Sequence, residues 1–356
     1  MSNRVLLTVS GTIAVDLQES VQAGKRPRAD YVEMSRCLGA DLIDYGEANR
    51  SVTRVGRIIK RVAGDNALLA WTCFRRRRRY DAVVTDGEQV GIPYAALTWF
   101  TRRSSRPTHA MIVHIISVPK KALLFRALGL RHRVDMFFVY SSWQRDFALE
   151  KLGMRENQVT LTPFMVDTSF FELSRVVAEP RRMICGAGLE CRDYDTLVAA
   201  VRDLDVEVVI AAASPWSKRS NTLDGSPLPA NITMCKLSLF ELRQLYADSV
   251  FVVMPLHDVE FQAGVTTILE AMSMSKAVLC SRTRGQTDVI TEGETGLYVE
   301  PGNAGALRTA ISDLLADTDR AARLGAQARA WTEANADIER YATRIAQVVH
   351  GLTATR

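Results

Sequence analysis

Short apolar runs rich in β-branched residues recur along the chain, with amphipathic stretches between them. Residues 5–9, 81–85, 111–116, 134–140 and 159–164 have the length and content of buried strands. The first runs into Ser10-Gly11-Thr12. Ser141 or Ser142 is placed to cap a helix over 144–152, which Gly153 closes. A second series follows Arg182, at 183–185, 206–211, 232–235, 250–254 and 277–280, and a terminal helix is expected over 337–352. Alternation of this kind predicts an α/β protein with doubly wound parallel sheets. No internal repeat or low-complexity linker interrupts it. The break falls at 163–171, so the expected domains are 1–168 and 172–334.

The densest chemistry lies at 249–303. Residues 249–254 form an apolar run closed by Pro255, and Gly264-Val265-Thr266-Thr267 leads into a helical stretch over 268–275, with Glu270 near its start. A loop of Gly and small hydroxyl residues entering a helix leaves backbone N–H groups unpaired, and together with the helix dipole these attract an anion. Glu270 would turn a carboxylate toward hydroxyls on whatever carries that anion. An anion beside a diol outlines a nucleotide sugar. The same junction also reads as an ordinary α/β turn with a solvated Glu, since short loop motifs match by chance often.

The stretch resembles the signature of retaining family 4 glycosyltransferases of the GT-B fold. In that family a Glu, seven residues and a second Glu precede Ala-Met, and a Thr-Gly segment ending in Pro-Gly follows. Glu270-Ala271-Met272 and the run from Thr295-Gly296 to Pro301-Gly302 fit, whereas the first acidic position is Gln262. Around 186–195 the family carries an Arg and a Lys on the donor diphosphate. Arg192 stands at the Lys position, and Ala187 at the Arg position, so the second cation is absent or comes from Lys218 or Arg219.

The resemblance implies two Rossmann-like domains facing across a cleft, with the terminal helix, about 337–356, packed back on the first. It implies a retaining transfer from a nucleotide-diphosphate sugar to a sugar, lipid-linked or small-molecule acceptor. The family's usual route is front-face attack, the leaving diphosphate helping to deprotonate the acceptor, with no metal or other cofactor. Gly264, Val265, Thr266, Thr267 and Arg192 would then hold the diphosphate, Glu270 the ribose, and Gln262 and His114 the sugar. Gly11 would let the backbone approach a substrate. A satisfied core histidine is the alternative for His114, a plain tight turn the alternative for Gly11, and His109 is expected just ahead of its strand.

Composition narrows the class. The 356 residues are 47% hydrophobic, which suits two folded domains. No run approaches the roughly 20 apolar residues of a bilayer span, and the N-terminus lacks the apolar region of a signal peptide. Cys37, Cys73, Cys185, Cys191, Cys235 and Cys280 are scattered without metal-ligand spacing. The expectation is a cytoplasmic protein without disulfides or metal sites. Residues 1–170 carry an excess of ten positive charges and the remainder a deficit of five. Five arginines, Arg75 to Arg79, and the cluster Lys120, Lys121, Arg126, Arg131 and Arg133 lie beside apolar residues. That combination suits an anionic membrane surface at the inner face; no nucleic-acid motif accompanies it, and a solvated face is the alternative. Two rival readings stand beside the transferase: a sugar-nucleotide epimerase of the same architecture, and a catalytically weak GT-B scaffold, favoured by Ala187 and Gln262.

Overall fold

The computed structural model describes residues 4–99, 101–102, 105–212 and 228–355. The chain divides into two compact units. The first comprises Met1–Glu19, Ala29–Thr162 and Glu339–Arg356, and the second Ser20–Arg28 and Pro163–Ile338.

The first unit is built on a six-stranded parallel sheet of β1 (Val5–Thr8), β2 (Ala40–Ile43), β3 (Ala82–Thr85), β4 (Thr108–Val113), β5 (Met136–Val139) and β6 (Val159–Leu161), in the order β2-β1-β3-β4-β5-β6. Strands β1, β3, β4 and β5 are buried at every position, as the inner strands of a sheet covered on both faces must be. Helix Glu88–Thr98 packs Val90 and Tyr94 over Leu6 and Val83, and further along the same face Phe125 meets Phe137 edge-on. Each such fully buried side chain contributes about 1.5–3 kcal/mol. The terminal helix Ile338–Ala354 closes this unit, with Tyr341 Oη 3.0 Å from Tyr140 Oη.

The second unit repeats the plan with β7 (Met183–Ala187), β8 (Glu207–Ala211), β9 (Ile232–Cys235), β10 (Val252–Met254), β11 (Val278–Ser281) and β12 (Gly296–Val299), ordered β12-β11-β10-β7-β8-β9. Helix Val265–Ser273 lays Ile268, Leu269 and Met272 against Met254 and Cys280. Within this unit Asp167 accepts from the backbone N–H and the guanidinium of Arg28, which holds its carboxyl below the usual range despite burial.

Several expected boundaries move. Strand β4 runs over 108–113 rather than 111–116, which places His109 inside the strand and His114 just past its end. The edge strands β2 and β12 carry only one buried residue each, so the apolar run that marks an inner strand is missing from them. Ser141 caps the helix Ser142–Asp146 by accepting from Gln144 N–H, and the chain then widens into a π-type turn over Phe147–Lys151 before Gly153. Among the described residues no helix is long and apolar enough to cross a membrane. All six cysteines are free thiols.

Candidate functional site

In an open α/β sheet ligands bind beyond the carboxyl ends of the strands, where the strand order reverses. In the second unit that point lies between β7 and β10. The chain leaves β7 at Ala187, and the Arg192 side chain curls back beneath it. Its Nε donates to Ala187 O at 2.9 Å, Nη1 to Glu190 O at 2.7 Å, and Nη2 lies 3.4 Å from Thr267 Oγ1. A Cβ at Gly188 would stand 2.6 Å from Nη2, and one at Gly264 would stand 3.1 Å from Nη1. The two glycines therefore make the slot in which the guanidinium lies.

Gly264 has φ 76° and stands at the N-cap of the helix Val265–Ser273, which has no side-chain cap. That left-handed conformation is open to glycine at little cost. Val265, Thr266 and Thr267 thus form the first turn, with their N–H groups at the positive end of the dipole and Arg192 beside them. A cation at a helix N-terminus is unfavourable unless an anion joins it. The geometry is that of an anion site with one formal charge and an uncapped helix end. Ala187, the position that the resemblance assigns to a second cation, is the buried last residue of β7, 2% exposed. Lys218 and Arg219 lie outside the described residues.

The helix begins at Val265, so Glu270 sits in its second turn rather than near its start. Its side chain is buried and Oε2 accepts from Tyr246 Oη at 2.9 Å. Burial pushes its carboxyl up to about 7, against the opposing effects of the Tyr246 hydroxyl and the Arg192 charge.

Gln262 is 8% exposed, and neither Oε1 nor Nε2 of its amide has a hydrogen-bond partner. The same is true of Gln286, which is wholly buried, and of the buried Thr283 hydroxyl. Their two segments touch: a Cβ on Gly285 would lie 2.3 Å from the Phe261 carbonyl carbon, and Arg284 pairs with Glu260 at 3.2 Å. Five buried polar atoms without partners, at one crossing of two loops, are an exception in a folded protein, because each costs about 1–3 kcal/mol. Gln286 and Thr283 are not among the site residues expected from the sequence. The signal the sequence offers is a polar side chain directly after Gly285, inside the stretch already singled out.

In the first unit the strand order reverses between β1 and β3. Here Asp86 accepts from Thr8 Oγ1, Ser10 N–H and Ser10 Oγ, and orders the loop after β1. Burial raises its carboxyl, and these donors oppose the rise. A Cβ added at Gly11 would meet nothing within 4 Å, and its φ is not positive, so neither a tight turn nor a close contact in this unit demands glycine there. His114 is exposed, and its Nε2 lies 2.9 Å from Asp86 O. Its backbone is clamped: N–H donates to Glu88 Oε2 and the carbonyl accepts from Gln144 Nε2. Burial would raise Glu88, yet His114, Lys121 and the amides outweigh it and hold the carboxyl below its usual range. The core histidine is His109, fully buried on Tyr94, with burial pushing its ring down to about 3.

The basic clusters are largely engaged. Arg76 pairs with Glu47 at 2.6 Å, and Arg77 stacks on Phe74 at 3.8 Å. Lys121 binds Glu88, Arg131 donates to the carbonyls of Phe125 and Arg126, and Arg133 lies over Trp99.

Residues 187–331 match the family model described as "Glycosyl transferases group 1". A curated relative, a GDP-mannose-dependent alpha-(1-6)-phosphatidylinositol monomannoside mannosyltransferase of Mycolicibacterium smegmatis, is 34% identical over 83 residues. That stretch is 23% of this chain and 22% of the relative. Among solved structures, sucrose-phosphate synthase from Thermosynechococcus elongatus superposes with a TM-score of 0.70 at 16% identity, covering 99% of this chain and 100% of its own. A glycosyltransferase from Rickettsia africae gives 0.70 at 16% identity with 100% of both chains covered. HepE of Anabaena, in complex with UDP and glucose, gives 0.69 at 13% identity over 98% of this chain and 100% of its own. The shared fold is GT-B, with two Rossmann-like domains.

Proposed function

We propose that this chain, whose residues 187–331 form a group 1 glycosyltransferase domain on a GT-B fold, transfers a sugar from a nucleotide-diphosphate sugar to an acceptor hydroxyl. One observation carries the reading. The Arg192 guanidinium and the uncapped N-terminus of helix Val265–Ser273 meet at the strand-order reversal of the second unit, with glycines at 188 and 264 leaving room for both. Both features stabilise negative charge, and the charge that grows during transfer is that of the leaving diphosphate. Glu270 would accept from the ribose diol once ionised, and the unpaired amides of Gln262 and Gln286 would bond the hydroxyls of the sugar.

In this reading the bond between the anomeric carbon and a diphosphate oxygen breaks while the acceptor oxygen bonds the same face. The acceptor proton passes to the departing diphosphate, so configuration is retained. The scheme draws on no metal or other cofactor. His114 is an exposed titratable group at the carboxyl end of the first sheet, and its role toward the sugar rests on the family resemblance. A lipid-linked acceptor, met at the inner face of an anionic membrane, belongs to the proposal; the Mycolicibacterium relative is named for such an acceptor. The second reading, a catalytically weak scaffold, draws on the buried Ala187 and the uncharged Gln262.

The test is a panel of UDP, GDP and ADP sugars followed by thermal shift, with the released nucleoside diphosphate measured by mass spectrometry. Stabilisation and release with one nucleotide class is the expected result. Stabilisation without release would favour the scaffold, and a panel with no stabilisation at all would remove the donor site.

A further inference from the structure

Residues 54–76 form one helix broken in backbone geometry at Gly64, whose φ of 78° and ψ of −173° are not helical. The two halves differ completely. After the break, Leu68, Leu69, Ala70 and Cys73 enter the core of the first unit. Before it, the residues from 54 to 63 are solvent-facing except Gly56 and Ile59. This arm is anchored through Gly56, which donates to the capping Thr53 hydroxyl and packs against Leu68.

The arm is amphipathic, with its apolar stripe turned outward. Val55, Ile58, Ile59 and Val62 recur at the spacing of one helix face. Val55 is 51% exposed, Ile58 65% and Val62 83%. Arg54, Arg57 and Arg61 flank the stripe, and their guanidinium groups make no hydrogen bond or ion pair among the described residues, in contrast to Arg76 and Arg77. Lys60 ties the arm to the body through Asp65 and Asn49. No acidic residue occurs from 48 to 64.

We propose that residues 54–63 are a docking arm that lies on an anionic lipid surface, with Val55, Ile58 and Val62 entering the acyl boundary and Arg54, Arg57 and Arg61 meeting the headgroups. An outward apolar stripe between unpaired cations is the pattern of a helix lying in the membrane interface. A second copy of the chain is disfavoured, because pairing two such faces brings like charges together. Nucleic acid would use the arginines but leave the apolar stripe without a function, and the arm has no aromatic residue for stacking on bases. The proposal specifies the lipid surface named in the transferase reading. It stands on different residues and needs no nucleotide sugar.

The full chain without donor is tested by flotation with phosphatidylglycerol vesicles and with phosphatidylcholine vesicles. The wild type is expected to float with the anionic vesicles at low salt and to stay behind with the neutral ones. Ile58→Asp with Val62→Asp should weaken binding at least tenfold at an unchanged melting temperature, since both side chains are exposed. Arg57→Gln with Arg61→Gln should weaken it roughly fivefold per charge, and more than Arg78→Gln with Arg79→Gln does. The proposal fails if the wild type does not bind anionic vesicles, or if the aspartate variant binds like the wild type. It also fails if the aspartates abolish a dimer seen by light scattering, or if the Arg78 and Arg79 changes outweigh those in the arm. Nucleic-acid binding that is lost with the arginines and indifferent to the aspartates would overturn it in favour of that partner.

Discussion

At the carboxyl end of the first sheet the acidic side chains are satisfied by their neighbours, although helix Glu88–Thr98 also begins without a side-chain cap. Asp86 is occupied by Thr8 and Ser10, and Glu88 by the His114 and Ile115 amides and Lys121. The His114 ring is exposed there, with Nε2 against Asp86 O. At the equivalent place in the second sheet the helix N-terminus is uncapped, Arg192 lies beside it, and Gln262 and Gln286 are buried with nothing to bond. The sheets share a winding plan, and the difference comes from how each loop treats its donors and acceptors. A loop that satisfies itself holds its shape. A loop that leaves groups unpaired keeps donors and acceptors open to a ligand or to water, and its own stability is lower without either.

The strongest attempt to break this contrast is Arg192→Ala. It should lower the turnover of transfer about 10²–10³-fold, the loss typical when one charge-stabilising donor is removed from a transition state, and Arg192→Lys should restore part of it. A steady-state assay of nucleoside diphosphate release showing less than a few-fold loss would make the second loop as inert as the first.

Glu270 gives the next largest effect. As an acceptor for ribose hydroxyls it works ionised, so nucleotide affinity should strengthen as pH rises through about 7. Glu270→Gln should flatten that profile and weaken binding roughly 10–100-fold at high pH, the range for a hydrogen bond to a charged group. The unliganded protein should respond in the opposite sense. Because the carboxyl rises from 4.5 to about 7 in the fold, the stability it contributes is complete below about 4.5 and is lost as pH climbs through about 7. Tyr246→Phe removes the hydroxyl that favours the charged form and should move both midpoints upward. Calorimetric titrations across the pH range check all three.

Gln286→Leu should separate stability from binding. Without ligand it removes two unpaired buried atoms and is expected to raise the melting temperature, by a few degrees at about 1 kcal/mol. With donor it should shrink the ligand-induced shift. A variant that loses both would show that the amide is bonded in the free protein. The smallest functional effect is expected from Asp86→Asn, which should cost about 1–3 kcal/mol of stability and leave nucleotide binding by the second unit unchanged.

Much of this was legible along the chain. The inner strands were readable because both faces of a parallel sheet are buried, which leaves continuous apolar runs such as Met136–Val139 and Val252–Met254. Of the four edge strands, each with one buried residue, Val159–Leu161 and Ile232–Cys235 were readable from their β-branched runs, while Ala40–Ile43 and Gly296–Val299, interrupted by Asp41 and opened by Gly296, were not. Three residues misplaced β4 and exchanged the surroundings of two histidines: His109 is the core residue and His114 the exposed one. In both cases the local pattern was apolar on either side, so burial had no signature in sequence.

By itself the sequence determined the winding of two parallel sheets, the glycine-led entry to the helix that carries Glu270, and the neutral residue at 262, since these follow from local composition and spacing. Tertiary structure alone decided which charges are free. Arg76 is held by Glu47 across the fold and Arg77 folds back on Phe74 three positions before it, whereas Arg57 and Arg61 face solvent beyond a glycine break. It also decided that the segments carrying Gln286 and Gln262, 24 positions apart in the chain, cross at Gly285 and Phe261. Hydrogen bonding and burial are satisfied by neighbours in space, and a chain read one residue at a time does not contain them.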